Sequence, residues 1–325
     1  MDSTTTTGQS VRAESGEKQP FRSAQEQRFL SGVVLAIAGT FLFALKSILI
    51  KFAFAKGADA TLLLMLRLSF SMPFYCGMLL FLRLRASSGK SRTLTPKQIM
   101  TSIGLGFFGY YLASFLDMAG LERISAQLER LTLFTYPAMV ALLAWLFLGE
   151  QMSRRIVTSI LLTYLGIAIM YSHERDAEAV SGNRTTEGVL LVLGSALSYS
   201  IYVLFAKPLM QRMGSREFTS FAMIGSAGFI ACHFFATRSF ASLASAPPAV
   251  YLYGLTLAFV CTVIPSFFVS EAIVRLGAAR TTIIGSVGPV VTMMLAIVVL
   301  GEPTSWYHIV GMVIVLIGVS FVARK

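Results

Sequence analysis

Long apolar runs alternate with short polar links along the chain, and the runs are of membrane length. A helix that crosses a bilayer needs about 20 predominantly apolar residues. Ten stretches fit: Gly32 to Phe54, Thr61 to Leu82, Ile99 to Met118, Leu128 to Leu148, Ile156 to Ser172, Gly188 to Met210, Phe218 to Phe235, Val250 to Ser270, Thr281 to Leu300 and Trp306 to Val322. The pattern predicts an all-α integral membrane protein of ten transmembrane helices. Residues 1–31 read as a disordered cytosolic tail, because Met1 to Arg28 is rich in Thr, Ser, Glu and Gln and holds no apolar block. The first apolar run is of spanning length, so this start does not read as a cleavable signal peptide.

The second half of the chain restates the first. At a constant offset of 152 residues, Ala126 to Ser172 meets Ala278 to Arg324: Pro137 falls on Pro289, Leu148-Gly149-Glu150 on Leu300-Gly301-Glu302, and Gly166 on Gly318. The first spans echo one another at an offset of 156, Gly32 with Gly188 and Lys51 with Lys207. The chain therefore divides into a first repeat over 32–172, an outer linker over 173–187 and a second repeat over 188–325. Each repeat holds five spans, and five is odd, so the second copy enters the membrane the opposite way up. An inverted repeat with matching interruptions in its two halves is a recurring plan of secondary transporters.

Composition agrees with the bilayer and charge sets an orientation. With 55% apolar residues, 13% charged and a mean hydropathy of +0.71, the chain is too apolar for a soluble protein of 325 residues. The net charge of +11 does not point to nucleic acid once the basic residues are placed. With the N-terminus inside, the inner links hold Arg83, Arg85, Lys90, Arg92, Lys97, Arg154, Arg155, Arg212, Arg216, Arg275 and Arg280, with Arg324 and Lys325 at the end. The outer links hold Lys56, Arg123, Arg175, Arg184 and Arg238, and this imbalance predicts cytosolic termini. Cys76, Cys232 and Cys261 lie inside apolar runs without paired spacing, which gives no support for a disulfide framework or a metal site. The sequon at Asn183-Arg184-Thr185 has meaning only in a glycosylating compartment.

Ionisable side chains within a span cost about 2.5–3.5 kcal/mol at a helix centre and usually face a bundle interior. Lys46 and Arg67 are the clearest; the alternatives are snorkelling to the headgroups for Lys46 and a structural ion pair for Arg67. Tyr110, Ser114 and Asp117 share one face of the third helix, and Glu129, Thr132 and Tyr136 one face of the fourth. Tyr136, Tyr199 and Tyr202, with Tyr111 and Ser198, can supply hydroxyls and ring faces to a cavity with Lys46 and Arg67. Asp117, Glu129 and Arg130 lie toward the outer ends of their helices; Lys207, Glu271, Arg275 and Arg280 lie toward the inner ends. From this sidedness we expect a gate in which the first cluster closes the outer mouth and the second the inner, with only one cluster paired at a time. Asp117, Glu129 and Glu271 are also the candidates to carry a coupling proton. Pro137 and Pro289 each remove a helix hydrogen bond and are expected to kink their helices beside a midplane site.

Ten spans in two five-helix halves, the Pro137 and Pro289 helices ending in Leu-Gly-Glu, and Arg67 in the second span resemble the drug/metabolite transporter superfamily, specifically its EamA-domain branch. The stretch from Gly109 through Asp117, with Leu128-Glu129-Arg130 and Tyr136-Pro137, resembles a bacterial subgroup of that branch. The resemblance implies a multi-pass protein of the bacterial inner membrane. It also implies exchange or export of a small metabolite, often an amino acid, by alternating access, with small-molecule substrate and membrane lipids as partners. A monomer and a homodimer both fit, and no cofactor is implied. An intramembrane enzyme and a passive channel are the competing classes. The chain has no HExxH, GxSxG, P-loop or filter-like loop.

Overall fold

A computed structural model of the chain describes residues 19–86, 94–177, 184–276 and 278–323. The first repeat opens with α1 (Gln19–Ala55) and α2 (Ala60–Ala86). Its third span is α3 (Pro96–Gly106), a π-helical stretch Phe107–Leu112, and α4 (Ala113–Leu121). Its fourth span is α5 (Ala126–Leu133) and α6 (Tyr136–Leu148), and its fifth is α7 (Arg154–Ala177). The second repeat follows the same order: α8 (Arg184–Met213), α9 (Ser215–Thr237), a short α10 (Phe240–Ala244), then α11 (Pro248–Ala258), a π-helical stretch Phe259–Val263 and α12 (Ile264–Leu276). Its fourth span is α13 (Ala278–Gly285), α14 (Gly288–Leu295) and a π-helical end Ala296–Leu300, and its fifth is α15 (Trp306–Ala323). The protein is all-α: ten spans in two five-helix repeats, with no strand among the described residues.

Eight of the spans are long and apolar enough to cross a membrane as they stand; Gly288–Leu300 and Trp306–Phe321 are shorter. Large apolar side chains such as Val298, Leu84 and Leu161 point outward, as lipid-facing residues must. α1 begins at Gln19, inside the segment read as tail, and the links holding Lys90, Arg92 and Asn183 lie outside the described residues, as do Arg324 and Lys325.

The prolines do more than kink. Pro137 and Pro289 sit in the first turn of α6 and α14, and the fourth span of each repeat is divided into two helices at 134–135 and at 286–287. Proline lacks the N–H that would close the preceding turn, while its fixed φ suits a helix start. The break, the start of the π-helical stretch in the third span and the helix stop all recur at the offset read from the sequence. At the stop, Gly149 and Gly301 take φ of 66° and 67°, and the next N–H, of Glu150 or Glu302, reaches back to Ala144 O or Ala296 O.

The seam between α7 and α15 makes the inversion visible. A Cβ on Gly166 would sit 2.6 Å from Gly311 O, with Val315 beside it; a Cβ on Gly318 would meet Ser159 O and Thr163 at 2.8–3.0 Å. Gly166 and Gly318 are repeat mates, as are Ser159 and Gly311, and Thr163 and Val315. Contact residues rise along α7 as they fall along α15, so equivalent helices run antiparallel and meet in a self-matching interface. Small residues let these two backbones approach closely.

Candidate functional site

One buried charged cluster joins the first, third and fourth spans of the first repeat. From α1, Lys46 Nζ lies 2.6 Å from Asp117 Oδ2 on α4. The next residue, Ser47, donates to Glu129 Oε2 on α5 at 2.7 Å, and one turn on Lys51 Nζ donates to the Ile124 carbonyl at 2.6 Å. Asp117 and Glu129 are 2% and 0% exposed, so this is a charged group held within the bundle. Breaking such a pair would strand a charge away from water, which costs far more than the pair contributes. The Asp117 and Glu129 carboxyls face one another, and Asp117 Oδ1, Glu129 Oε1, Arg130 Nε and Thr132 Oγ1 are buried with no donor or acceptor of another kind among the described residues.

Arg130 extends from α5 toward the broken helix of the other repeat. Its guanidinium lies over the Phe134 ring at 5.8 Å, and one terminal nitrogen reaches to within 3.6 Å of where a Cβ on Gly288 would stand. Gly288 opens α14, so Arg130 adds its charge to a helix N-terminus, already the positive end of its dipole. Arg67, Lys46 and Arg130 are three cations against the two carboxylates Asp117 and Glu129, leaving one positive charge in excess when all are ionised.

The π-helical stretches of the two third spans each pack against helices of the other repeat. A π-turn displaces carbonyls from the regular ladder, and around the first stretch serines of the other repeat satisfy them. Ser226 donates to Gly106 O at 2.8 Å, Ser198 to Phe108 O at 2.7 Å and Ser195 to Ala113 O at 2.7 Å. At the second stretch Thr262 donates to Leu257 O and accepts from Arg67 Nε, both at 2.9 Å. Arg67 is thereby fixed across the repeat interface by Thr262.

Four of the expected tyrosines form a ladder. Tyr136 meets Tyr199 edge-on at 5.3 Å, Tyr199 stacks on Tyr202 at 5.8 Å, and the Tyr202 and Tyr110 hydroxyls are 2.9 Å apart. Tyr111 leaves this group: its hydroxyl meets His233 Nδ1 at 3.0 Å among Phe107, Phe115 and Phe229. Ser114 makes no side-chain hydrogen bond among the described residues, and Ser198 is committed to Phe108. Glu271 lies apart from the cluster, paired with Arg275 on its own helix at 2.9 Å. The expectation that only one charge cluster is paired at a time does not hold, because Asp117–Lys46 and Glu271–Arg275 coexist, each within its own repeat. A separate cleft of about 430 Å³, lined by Leu116, Arg123, Glu187, Leu190, Leu191 and Gly194, includes none of the cluster.

Sequence reasoning missed Ser47 and Thr262 as partners. Ser47 had a faint signal, standing beside a buried lysine; Thr262 had none, because its role arises from a π-turn. The cluster holds no cofactor motif, and no group of three or more His, Cys, Asp or Glu suited to a metal occurs among the described residues.

Comparison with known proteins fits this architecture. The EamA-like transporter family matches residues 30–172 and 186–324, once for each repeat, and the chain belongs to that family. It is 28% identical over 291 residues to the uncharacterized transporter YcbK of Bacillus subtilis (strain 168), covering 86% of this chain and 89% of that one. It is 30% identical over 218 residues to a probable terminal-alkyne amino-acid exporter of Streptantibioticus cattleyicolor, covering 63% and 67%. A crystal structure of a protein superposes with a TM-score of 0.59 at 14% identity over 90% of this chain and 98% of that one, a likeness of fold alone. The protein is thus a multi-pass membrane transporter of the drug/metabolite type.

Proposed function

We propose that this transporter is a carrier that moves a small carboxylate-bearing organic solute of amino-acid type, in the export direction, across the cytoplasmic membrane by alternating access. The observation that carries the reading is the buried cluster between two broken helices, with a cation in excess and unpartnered atoms of both signs. Lys46 is already neutralised by Asp117, and Arg67 is held by Thr262, so the solute's carboxylate falls to Arg130 and the N-terminus of α14. A solute ammonium group finds Asp117 Oδ1 and Glu129 Oε1 within the same cluster. The tyrosine ladder supplies ring faces for the rest of the molecule. The name of the amino-acid exporter among the relatives supports the class, and the basic residues of alternate links support cytosolic termini.

The test is counterflow in proteoliposomes loaded with an amino-acid mixture. The expected result is saturable uptake of labelled amino acid that is stimulated by unlabelled amino acid on the far side and lost in Arg130→Gln. Equal uptake of purely cationic and carboxylate solutes would overturn the assigned substrate class. Flux without saturation or far-side stimulation would overturn the carrier.

A further inference from the structure

The glutamate of each Leu-Gly-Glu stop has a task beyond ending a helix. Glu302 turns back across the repeat interface onto the N-terminus of α5, where its two carboxylate oxygens accept the Ala126 and Gln127 N–H groups at 2.8 and 3.3 Å. Beside it the Gln127 amide bonds Thr304 Oγ1 at 3.3 Å. The first N–H groups of a helix have no partner within it and carry the positive end of its dipole, so a carboxylate there is a charge-assisted cap. This cap ties the second repeat to the first at one face of the membrane.

The repeat mates of Glu302 and Ala126 are Glu150 and Ala278. Glu150 follows a glycine of the same left-handed conformation as the one before Glu302, with the same backbone bond behind it. Its environment is different: Glu150 is exposed, and its carboxylate has no partner among the described residues. The packing is unequal in the same sense. α5 lies against α14, whereas their mates α13 and α6 make no comparable contact among the described residues. Two copies of one device are therefore present, one engaged and one idle, on opposite faces.

We infer that Glu302 and Glu150 are alternating latches: Glu302 closes its face of the membrane by capping α5, and in the opposite conformation Glu150 closes the other face by capping α13. The inference rests on the carrier reading above. When the two repeats exchange shapes, the symmetry that relates them carries the Glu302–Ala126 contact onto Glu150–Ala278. The first latch opens as the second forms. Because both caps are made to backbone amides, the device survives the sequence difference between Gln127 and its mate Ala279.

The experiment is paired-cysteine crosslinking with a short bifunctional thiol reagent in proteoliposomes, in a chain with Cys76, Cys232 and Cys261 replaced by alanine. One pair, Gln127→Cys with Thr304→Cys, reports the Glu302 face; its mate, Met152→Cys with Ala279→Cys, reports the Glu150 face. Glu302→Ala should shift the ratio of the two crosslinks roughly tenfold toward the Glu150 face, the size expected for losing an N-terminal cap. Glu150→Ala should shift it roughly tenfold the other way, and each should slow counterflow. Glu150 has no partner in the state described, so its replacement removes no contact that holds this fold, and it tests the idea even if Glu302→Ala fails to fold. An unchanged ratio in Glu150→Ala, or shifts of the same sign in both variants, would overturn the latch. Crosslinking needs no substrate, so vesicles that move no amino acid yet show the opposed shifts would sink the assigned substrate class and leave the latch standing.

Discussion

The two repeats share a backbone and divide the chemistry. Helix breaks, the π-helical stretches of the third spans and the glycine stops fall at matched positions, but the charges of the cluster do not. Asp117, Glu129 and Arg130 correspond to Val269, Thr281 and Thr282, and at the offset of the first spans Lys46 corresponds to Tyr202. Duplication has kept these backbone devices in both halves and has left the ionised cluster to the first repeat alone. In the proposed carrier the difference separates two requirements: symmetry serves the motion, and the solute, which has no symmetry, needs an asymmetric lining.

The strongest way to break this division is to remove a charge from the first repeat. Lys46→Met strands Asp117 and should cost about 3–5 kcal/mol of stability, read by denaturant unfolding in detergent. Adding Asp117→Leu should restore most of the stability but not the counterflow. Recovery of both would reduce the pair to scaffold. Next in size, Arg130→Gln should lower counterflow about 100-fold, in line with a charge-assisted contact to a carboxylate, with little change in the unfolding midpoint. Thr262→Val deprives buried Arg67 of its partner across the repeat interface and should cost about 1–3 kcal/mol. A neutral result would mean that Arg67 is held from within its own half. The smallest effect tests the symmetric side of the comparison: Gly149→Ala and Gly301→Ala place a side chain at positive φ, and each should cost about 1 kcal/mol. Matched costs are expected because the two φ values match; a clear difference would show that the stops are alike in shape and unequal in load.

Much of the scaffold was legible in the sequence because it depends on local chemistry. Apolar length gives the spans, proline removes a defined hydrogen bond, and a repeated Leu-Gly-Glu fixes the offset. Even here the prolines divide the fourth spans outright, each standing in the first turn of a new helix. The site was legible as a set of residue types and not as a wiring diagram. Lys46 and Asp117 read separately, one as cavity lining and one as gate, because nothing in a stretch that separates them by 71 positions says that their helices touch. The π-helical stretches carry no propensity signal, so the use of Thr262, Ser195 and Ser226 to satisfy displaced carbonyls was out of reach. Glu302 was visible as a punctuation mark, and its grip on another helix became apparent only in three dimensions.

The glycine seam between α7 and α15 sets a limit on how the molecule can rearrange. Repeat mates face each other there, so the line relating the halves runs through it, and swapping their shapes returns this junction to itself. In the proposed carrier this makes the crossing at Gly166 and Gly311 the natural fulcrum, a stretch of the inter-repeat boundary that an exchange of shapes leaves interlocked.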